Sequence, residues 1–249
     1  AERCRAADPA WWSGNVYEED IGDLASAPPP TDPHLKTRLL RHQAPIYLTH
    51  RASASFALFW EMGLGKTKLL IDVASHLAMT GCVDAILVIA PKSVYDNWIT
   101  IEAPLHMRAQ HMSYAHHTEG SRRDDPCIMR DLVSDPREFR GILRLVAMSY
   151  DALGTPQGFE FAEKLCKNFR TLVALDESSA IGRGATNRAH NSKALGRLAT
   201  HRWIMSGTPA ASSPFALHSQ IQFLDPGFWL SHGMRSFEAF KNQFGIFRM

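Results

Sequence analysis

Cysteine is scarce in this chain. Cys4, Cys82, Cys127 and Cys166 are scattered, with no C-x-x-C pair among them. Nothing in that spacing suggests a disulfide framework or a zinc site, which leaves a reducing, intracellular setting as the expectation. No apolar run reaches the ~18 residues of a membrane span. No basic stretch leads into an apolar one near the start, so no secretory leader is expected. Charge of one sign is lacking too: the net charge is only +2. Bulk charge therefore does not argue for a nucleic-acid partner, and such a partner has to be argued from local motifs. Histidines are plentiful, but His111 and His116-His117 have no cysteine or carboxylate at ligand spacing. They read as part of a polar loop. What is present is ordinary for a globular protein: 249 residues, 45% of them hydrophobic, enough for one large domain or two small ones.

Pattern divides the chain into three parts. Residues 1–34 carry Trp11-Trp12, an acidic run and the cluster Ala27-Pro-Pro-Pro30, then Asp32-Pro33. The prolines forbid regular structure, so this is an irregular arm whose tryptophans are expected to dock on the main domain. Residues 35–225 alternate helical and strand-like segments. Strands are expected at Ser53–Trp60, Asp84–Ala90, Gly141–Ser149, Thr171–Leu175 and Arg202–Met205. Helices are expected at Leu35–Leu48, Lys68–Ala78, Val94–Glu102, Phe159–Lys167, Ala189–Leu198 and Pro214–Phe223. Alternation of this kind implies an α/β fold, a doubly wound, mostly parallel sheet with helices on both faces. Its functional loops should lie at the carboxyl ends of the strands. Residues 107–140 are polar and fit no regular unit, so they read as an insertion or exposed crossover. Residues 226–249 read as the start of a connection to a further lobe.

Two segments carry chemistry. Glu61-Met-Gly-Leu-Gly-Lys-Thr67 lies between an expected strand and an expected helix, the context a phosphate-binding loop requires. Gly63 and Gly65 let the backbone curl, so that the N–H groups of Met62, Gly63, Leu64 and Gly65 can point at phosphate oxygens. The helix N-terminus adds positive potential. Lys66 can reach the β- and γ-phosphates, and the Thr67 hydroxyl can ligate Mg²⁺. The general pattern wants glycine at position 60, where this chain has Trp60. The second segment, Asp176-Glu-Ser-Ser179, follows a buried strand. Asp176 suits Mg²⁺ binding and Glu177 suits orienting and deprotonating a water.

Taken together these segments resemble the first RecA-like lobe of a superfamily 2 helicase, closest to Swi/Snf-type translocases and their phage-encoded relatives. Residues 61–67 are similar to motif I of that family, and Asp176-Glu-Ser-Ser179 to its Asp-Glu box, with serine at both later positions. Leu39-Leu-Arg-His-Gln43 resembles the adenine-recognising glutamine motif, which implies that Gln43 reads adenine. Val88-Ile-Ala-Pro-Lys92 and Ala147-Met-Ser-Tyr-Asp151 resemble segments facing nucleic acid, which implies that role for Lys92, Ser149 and Tyr150. Ser206-Gly-Thr-Pro209 resembles the turn that couples the nucleotide to the track, which assigns coupling to Ser206, Gly207 and Thr208. The resemblance implies ATP and Mg²⁺ as cofactors and nucleic acid, in particular duplex DNA, as partner. It also implies a second RecA-like lobe, in cis or in trans, that supplies arginine fingers, so the chain alone is expected to hydrolyse ATP poorly. Its setting would be the cytoplasm of a bacterial or phage-infected cell. Two other readings share the glycine loop: a small-molecule P-loop kinase, and a nucleotide-gated interaction module without motor activity.

Overall fold

The computed structural model describes residues 32–116, 141–182, 186–210 and 213–245. Short, mostly apolar runs become the strands, His111–His116 excepted. They are β1 (Ser55–Leu58), β2 (Ala85–Ala90), β3 (His111–His116), β4 (Leu143–Ser149), β5 (Thr171–Asp176) and β6 (His201–Met205). They form one sheet in the order β1-β6-β5-β2-β4-β3, and every pairing is parallel. A parallel sheet must be covered on both faces, and the central strand shows why. All six side chains of β2 are buried. Ile86, Val88 and Ala90 pack on one face with Leu69, Val73 and Trp98, while Ala85, Leu87 and Ile89 pack on the other with Phe161, Leu165 and Leu195. Burying each such Ile or Leu contributes about 1.5–3 kcal/mol. Because all strands run the same way, their carboxyl ends share one edge of the sheet.

The connecting helices are α1 (Gln43–His50), α2 (Lys66–Met79), α3 (Tyr95–Asn97), α4 (Ala103–His106), α5 (Tyr150–Leu153) and α6 (Pro156–Asn168), then α7 (Asn187–Leu198), α8 (Ala216–Leu224), α9 (Phe228–Ser231) and α10 (Phe237–Phe244). Between α3 and α4 the chain makes a π turn, Trp98–Glu102. A doubly wound parallel sheet is what the periodicity predicts, and that expectation holds.

Three boundaries differ. The helix expected at Leu35–Leu48 starts at Gln43 instead. Pro45 explains it: inside a longer helix its ring would meet the carbonyl of Arg41, whereas in the first turn it costs no hydrogen bond. The polar stretch beginning at Met107 holds a strand, β3, which pairs with β4 from His111↔Leu143 to His116↔Met148. It was hidden because an edge strand tolerates histidine and serine, leaving Met112 and Tyr114 to pack on one face and Ala115 on the other. Residues 226–245 fold back on α8 rather than leaving it: Trp229 stacks on His218 with centroids 5.2 Å apart and planes 6° apart, and Phe240 is buried against both. The expected tryptophan docking in the arm and the bulk of the insertion, including His117, lie outside the described residues.

Candidate active site

The loop from β1 to α2 has the curl its glycines predict. Gly63 and Gly65 have φ of 83° and 74°, in the left-handed region that disfavours side chains. Gly65 caps α2, and a Cβ there would lie 2.4 Å from the Gln43 amide nitrogen. Position 60 needs no glycine, because Glu177 is the one non-glycine residue with positive φ among those described. Trp60 instead packs against the core and sets its ring edge-on to His42 at 5.2 Å. His42 Nε2 in turn lies 3.0 Å from the Leu64 carbonyl.

Gln43 is wholly buried. Its Oε1 accepts from the Leu40 N–H at 3.0 Å, and its Nε2 donates to the carbonyls of Leu64 and Gly65 at 3.4 and 3.3 Å. In this arrangement the amide braces the phosphate loop and turns no edge outward. The loop tip is open, with Met62 83% exposed and Leu64 39% exposed. Lys66 folds inward, donating to the carbonyls of Trp60 and Glu61 at 2.9 and 3.1 Å. An ammonium group hydrogen-bonded to backbone carbonyls, with its charge also felt at Asp176, is available to phosphate oxygens, which carry more charge than a carbonyl. Thr67 follows in the first turn of α2.

The acidic box closes the opposite wall. Asp176 ends β5. Its Oδ2 accepts from the Trp98 indole at 3.2 Å and its Oδ1 from the Glu177 N–H at 3.0 Å. Burial holds its carboxyl above the usual carboxylate range, the indole hydrogen bond pulls down, and the Glu177 charge adds to the rise. A cation beside Asp176 would relieve that cost. The π turn is what presents Trp98 to Asp176, and such turns often sit at functional sites.

Glu177 has φ 48°, a strained conformation for a side-chain-bearing residue. From there its Oε2 accepts from the Ser206 hydroxyl at 3.0 Å. Ser206 Oγ in turn accepts from the Thr208 N–H at 3.1 Å. A Cβ on Gly207 would stand 3.4 Å from the Trp60 carbonyl, so this turn also touches the phosphate loop. The next residue, Ser178, donates to Gln220 Oε1 at 2.7 Å. Gln220 Nε2 donates to the Pro209 carbonyl at 2.7 Å. Both ends of the Ser206–Pro209 turn are thus held by consecutive residues of the box. Ser178 and Gln220 are completely buried.

The structure brings Gly63, Gly65, Lys66, Thr67, Asp176, Glu177, Ser206, Gly207 and Thr208 to one edge. Two residues expected to face nucleic acid go elsewhere. Ser149, 2% exposed, spends its Oγ capping α5 through the Ala152 N–H. Tyr150, 4% exposed, donates its hydroxyl to the Asp176 carbonyl at 2.8 Å, and burial drives its phenol well above the usual range. Both are internal supports. Lys92 alone of that set is exposed, past the carboxyl end of β2. Trp98 and Gln220 were missed by the sequence reading. The only available signal for Gln220 was an amide on the apolar side of α8.

Comparison with known proteins bears on the family and the fold. The sequence profile of the SNF2-related domain matches residues 41–247. A SWI/SNF-related regulator of chromatin, subfamily A containing DEAD/H box 1, from Xenopus tropicalis is 26% identical over 182 residues, 73% of this chain and 17% of that protein. The subfamily A-like protein 1 from Xenopus laevis is 25% identical over 207 residues, covering 79% of this chain and 18% of the relative. The fold matches the Sulfolobus solfataricus SWI2/SNF2 ATPase core in complex with dsDNA, with a TM-score of 0.59 at 23% identity over 86% of this chain and 40% of that one. The core domain from the same organism gives 0.56 at 21% identity. The chain therefore spans under a fifth of the curated relatives' length. Its profile match covers most of its own residues, and it belongs to the SNF2-related domain family.

Proposed function

We propose that this chain is the ATP-binding lobe of a nucleic-acid-dependent ATPase that couples hydrolysis to movement along duplex DNA. The observation that carries the reading is the hydrogen bond from Ser206 to Glu177. It ties the group placed to orient water to the turn that leads out of the site. A small-molecule kinase would not require that link. Duplex DNA as the track is supported by the solved relative captured on dsDNA.

The residues divide the work. Lys66 exchanges the Trp60 and Glu61 carbonyls for the phosphates of ATP. Thr67 and Asp176 would hold Mg²⁺, which neutralises charge developing on the phosphates. Trp98 fixes the orientation of Asp176. Glu177 orients the attacking water and takes its proton. Ser206 senses the position of Glu177 and passes it to Thr208 through their hydrogen bond. A second RecA-like lobe, in cis or in trans, supplies the arginine that completes the site; such an arginine contributes about 10³–10⁵ in turnover. The setting is intracellular.

ATPase measured with duplex DNA, single strands, RNA and no nucleic acid tests the proposal. In the two-lobed protein duplex DNA should stimulate most, and Lys66→Ala and Glu177→Gln should each remove at least about a hundredfold with folding intact. Equal rates with and without nucleic acid would rule the motor out.

A further inference from the structure

At the far end of α2, ten residues and roughly 15 Å from Lys66, three ligand-type side chains meet outside the site already described. Asp32 and His34 lie just ahead of α1, and His76 sits in the last turn of α2. One ligand atom from each lies within 4.8 Å of the other two. His34 Nδ1 is 2.6 Å from Asp32 Oδ1 and 3.3 Å from His76 Nδ1. The two rings meet edge to face, with centroids 4.8 Å apart.

Proton accounting makes this cluster unusual. At 2.6 Å from a carboxylate oxygen, His34 Nδ1 carries a hydrogen and donates it to Asp32. That one hydrogen cannot also fill the gap to His76 Nδ1. A second hydrogen, on His76 Nδ1, would point at the first. Two ring nitrogens and a carboxylate oxygen therefore converge on a single proton. Replacing it with a divalent cation leaves both imidazoles neutral, their Nδ1 lone pairs inward and their Nε2–H groups outward. The spacing suits this. Tetrahedral zinc with Zn–N of about 2.0–2.1 Å sets its ligands roughly 3.3 Å apart, the separation the two histidines already have. The Asp32–His34 contact, 2.6 Å now, would have to open by about 0.7 Å to reach the same separation.

The carboxylate is also braced from behind. Asp32 Oδ2, the oxygen turned away from the histidines, accepts from the Tyr47 hydroxyl at 3.1 Å and from Arg51. Oδ1 accepts from the His34 backbone N–H at 2.8 Å. Outer contacts of this sort orient metal-binding carboxylates. The surrounding charges already balance, since Arg51 faces Asp32 and Lys68 pairs with Asp72, one turn before His76. An added cation works against Arg51, so affinity should be modest.

We propose that Asp32, His34 and His76 form a binding site for a divalent transition-metal ion of the zinc, cobalt or nickel kind, which clasps the segment entering the domain to the end of the phosphate-loop helix. Nitrogen donors select such ions over Mg²⁺ and Ca²⁺. The site needs nothing from the nucleotide edge, so it stands or falls apart from the ATPase proposal.

The test is a titration of the metal-free 249-residue chain with zinc chloride by calorimetry. It is repeated with Co²⁺ by visible absorption, and with Mg²⁺ as control. One equivalent of zinc should bind, raise the melting temperature and exclude Mg²⁺. His76→Leu should weaken zinc by more than about a hundredfold, and Tyr47→Phe, which keeps every ligand, by about tenfold, in line with the loss of an outer-shell partner. Circular dichroism checks folding, and His34→Gln serves if His76→Leu does not fold. Zinc uptake that is absent, matched by Mg²⁺, or unchanged in these variants overturns the proposal.

Discussion

The two halves of the sheet edge use their polar residues in opposite ways. At the carboxyl ends of β1, β5 and β6, polar groups turn toward one another: Lys66 toward the loop carbonyls, Glu177 toward Ser206, Ser178 toward Gln220. At the ends of β2 and β4 they point into the core or out to the surface. Ser149 caps a helix, Tyr150 supports Asp176 from behind, and Lys92 stands at the surface. The first half is a connected network, so its residues should fail together. The second is tied to that network through Tyr150, and the loss of its other residues should be felt one at a time.

The sharpest way to break the first half is at its tightest approach. Gly65→Ala puts a methyl group against the Gln43 amide at 2.4 Å and asks alanine to hold φ 74°. It should cost about 1–3 kcal/mol of stability and weaken nucleotide binding, read by thermal unfolding and ATP titration. If Gly65→Ala binds ATP as the parent does, the loop is not held by Gln43.

Gln220→Leu tests whether the network extends beyond the acidic box. It leaves the Ser178 hydroxyl and the Pro209 carbonyl without their partner, each a loss of about 1–3 kcal/mol if the group stays buried. Because the break frees one end of the Ser206–Pro209 turn and leaves the phosphate loop intact, DNA-stimulated turnover should fall about tenfold with KM for ATP unchanged. A rise in KM with turnover preserved would place Gln220 in nucleotide binding instead.

How much of this was legible in the sequence follows the same division. Glycine, lysine and the acidic pair announce themselves because the chemistry demands those residue types at that spacing, and a strand of pure Ile, Leu, Val and Ala has one place to go. The Gln43, Ser149 and Tyr150 readings located the right strand or helix ends, but a motif does not say which way a side chain points. Burial decided that, and it depends on partners far along the chain: Tyr150 on Asp176, Gln220 on Ser178 and Pro209. Strand β3 was illegible for the converse reason, because an edge position asks little of its residues and so leaves little pattern.

The smallest expected effect bears on the second half most directly. If Lys92 meets a phosphate, Lys92→Ala should weaken duplex binding only severalfold, but should lower the slope of log affinity against log salt by about one. The loss should be uniform across sequences, because a phosphate contact carries no base information. Ser149→Ala is the paired control. It removes the α5 cap and should cost about 1 kcal/mol of stability, with the salt slope untouched because the side chain never reaches solvent. Fluorescence anisotropy over a salt series distinguishes the two. If Ser149→Ala moves the slope as Lys92→Ala does, β4 opens toward the track in the DNA-bound state, and the two halves of the edge are less different than their resting geometry makes them.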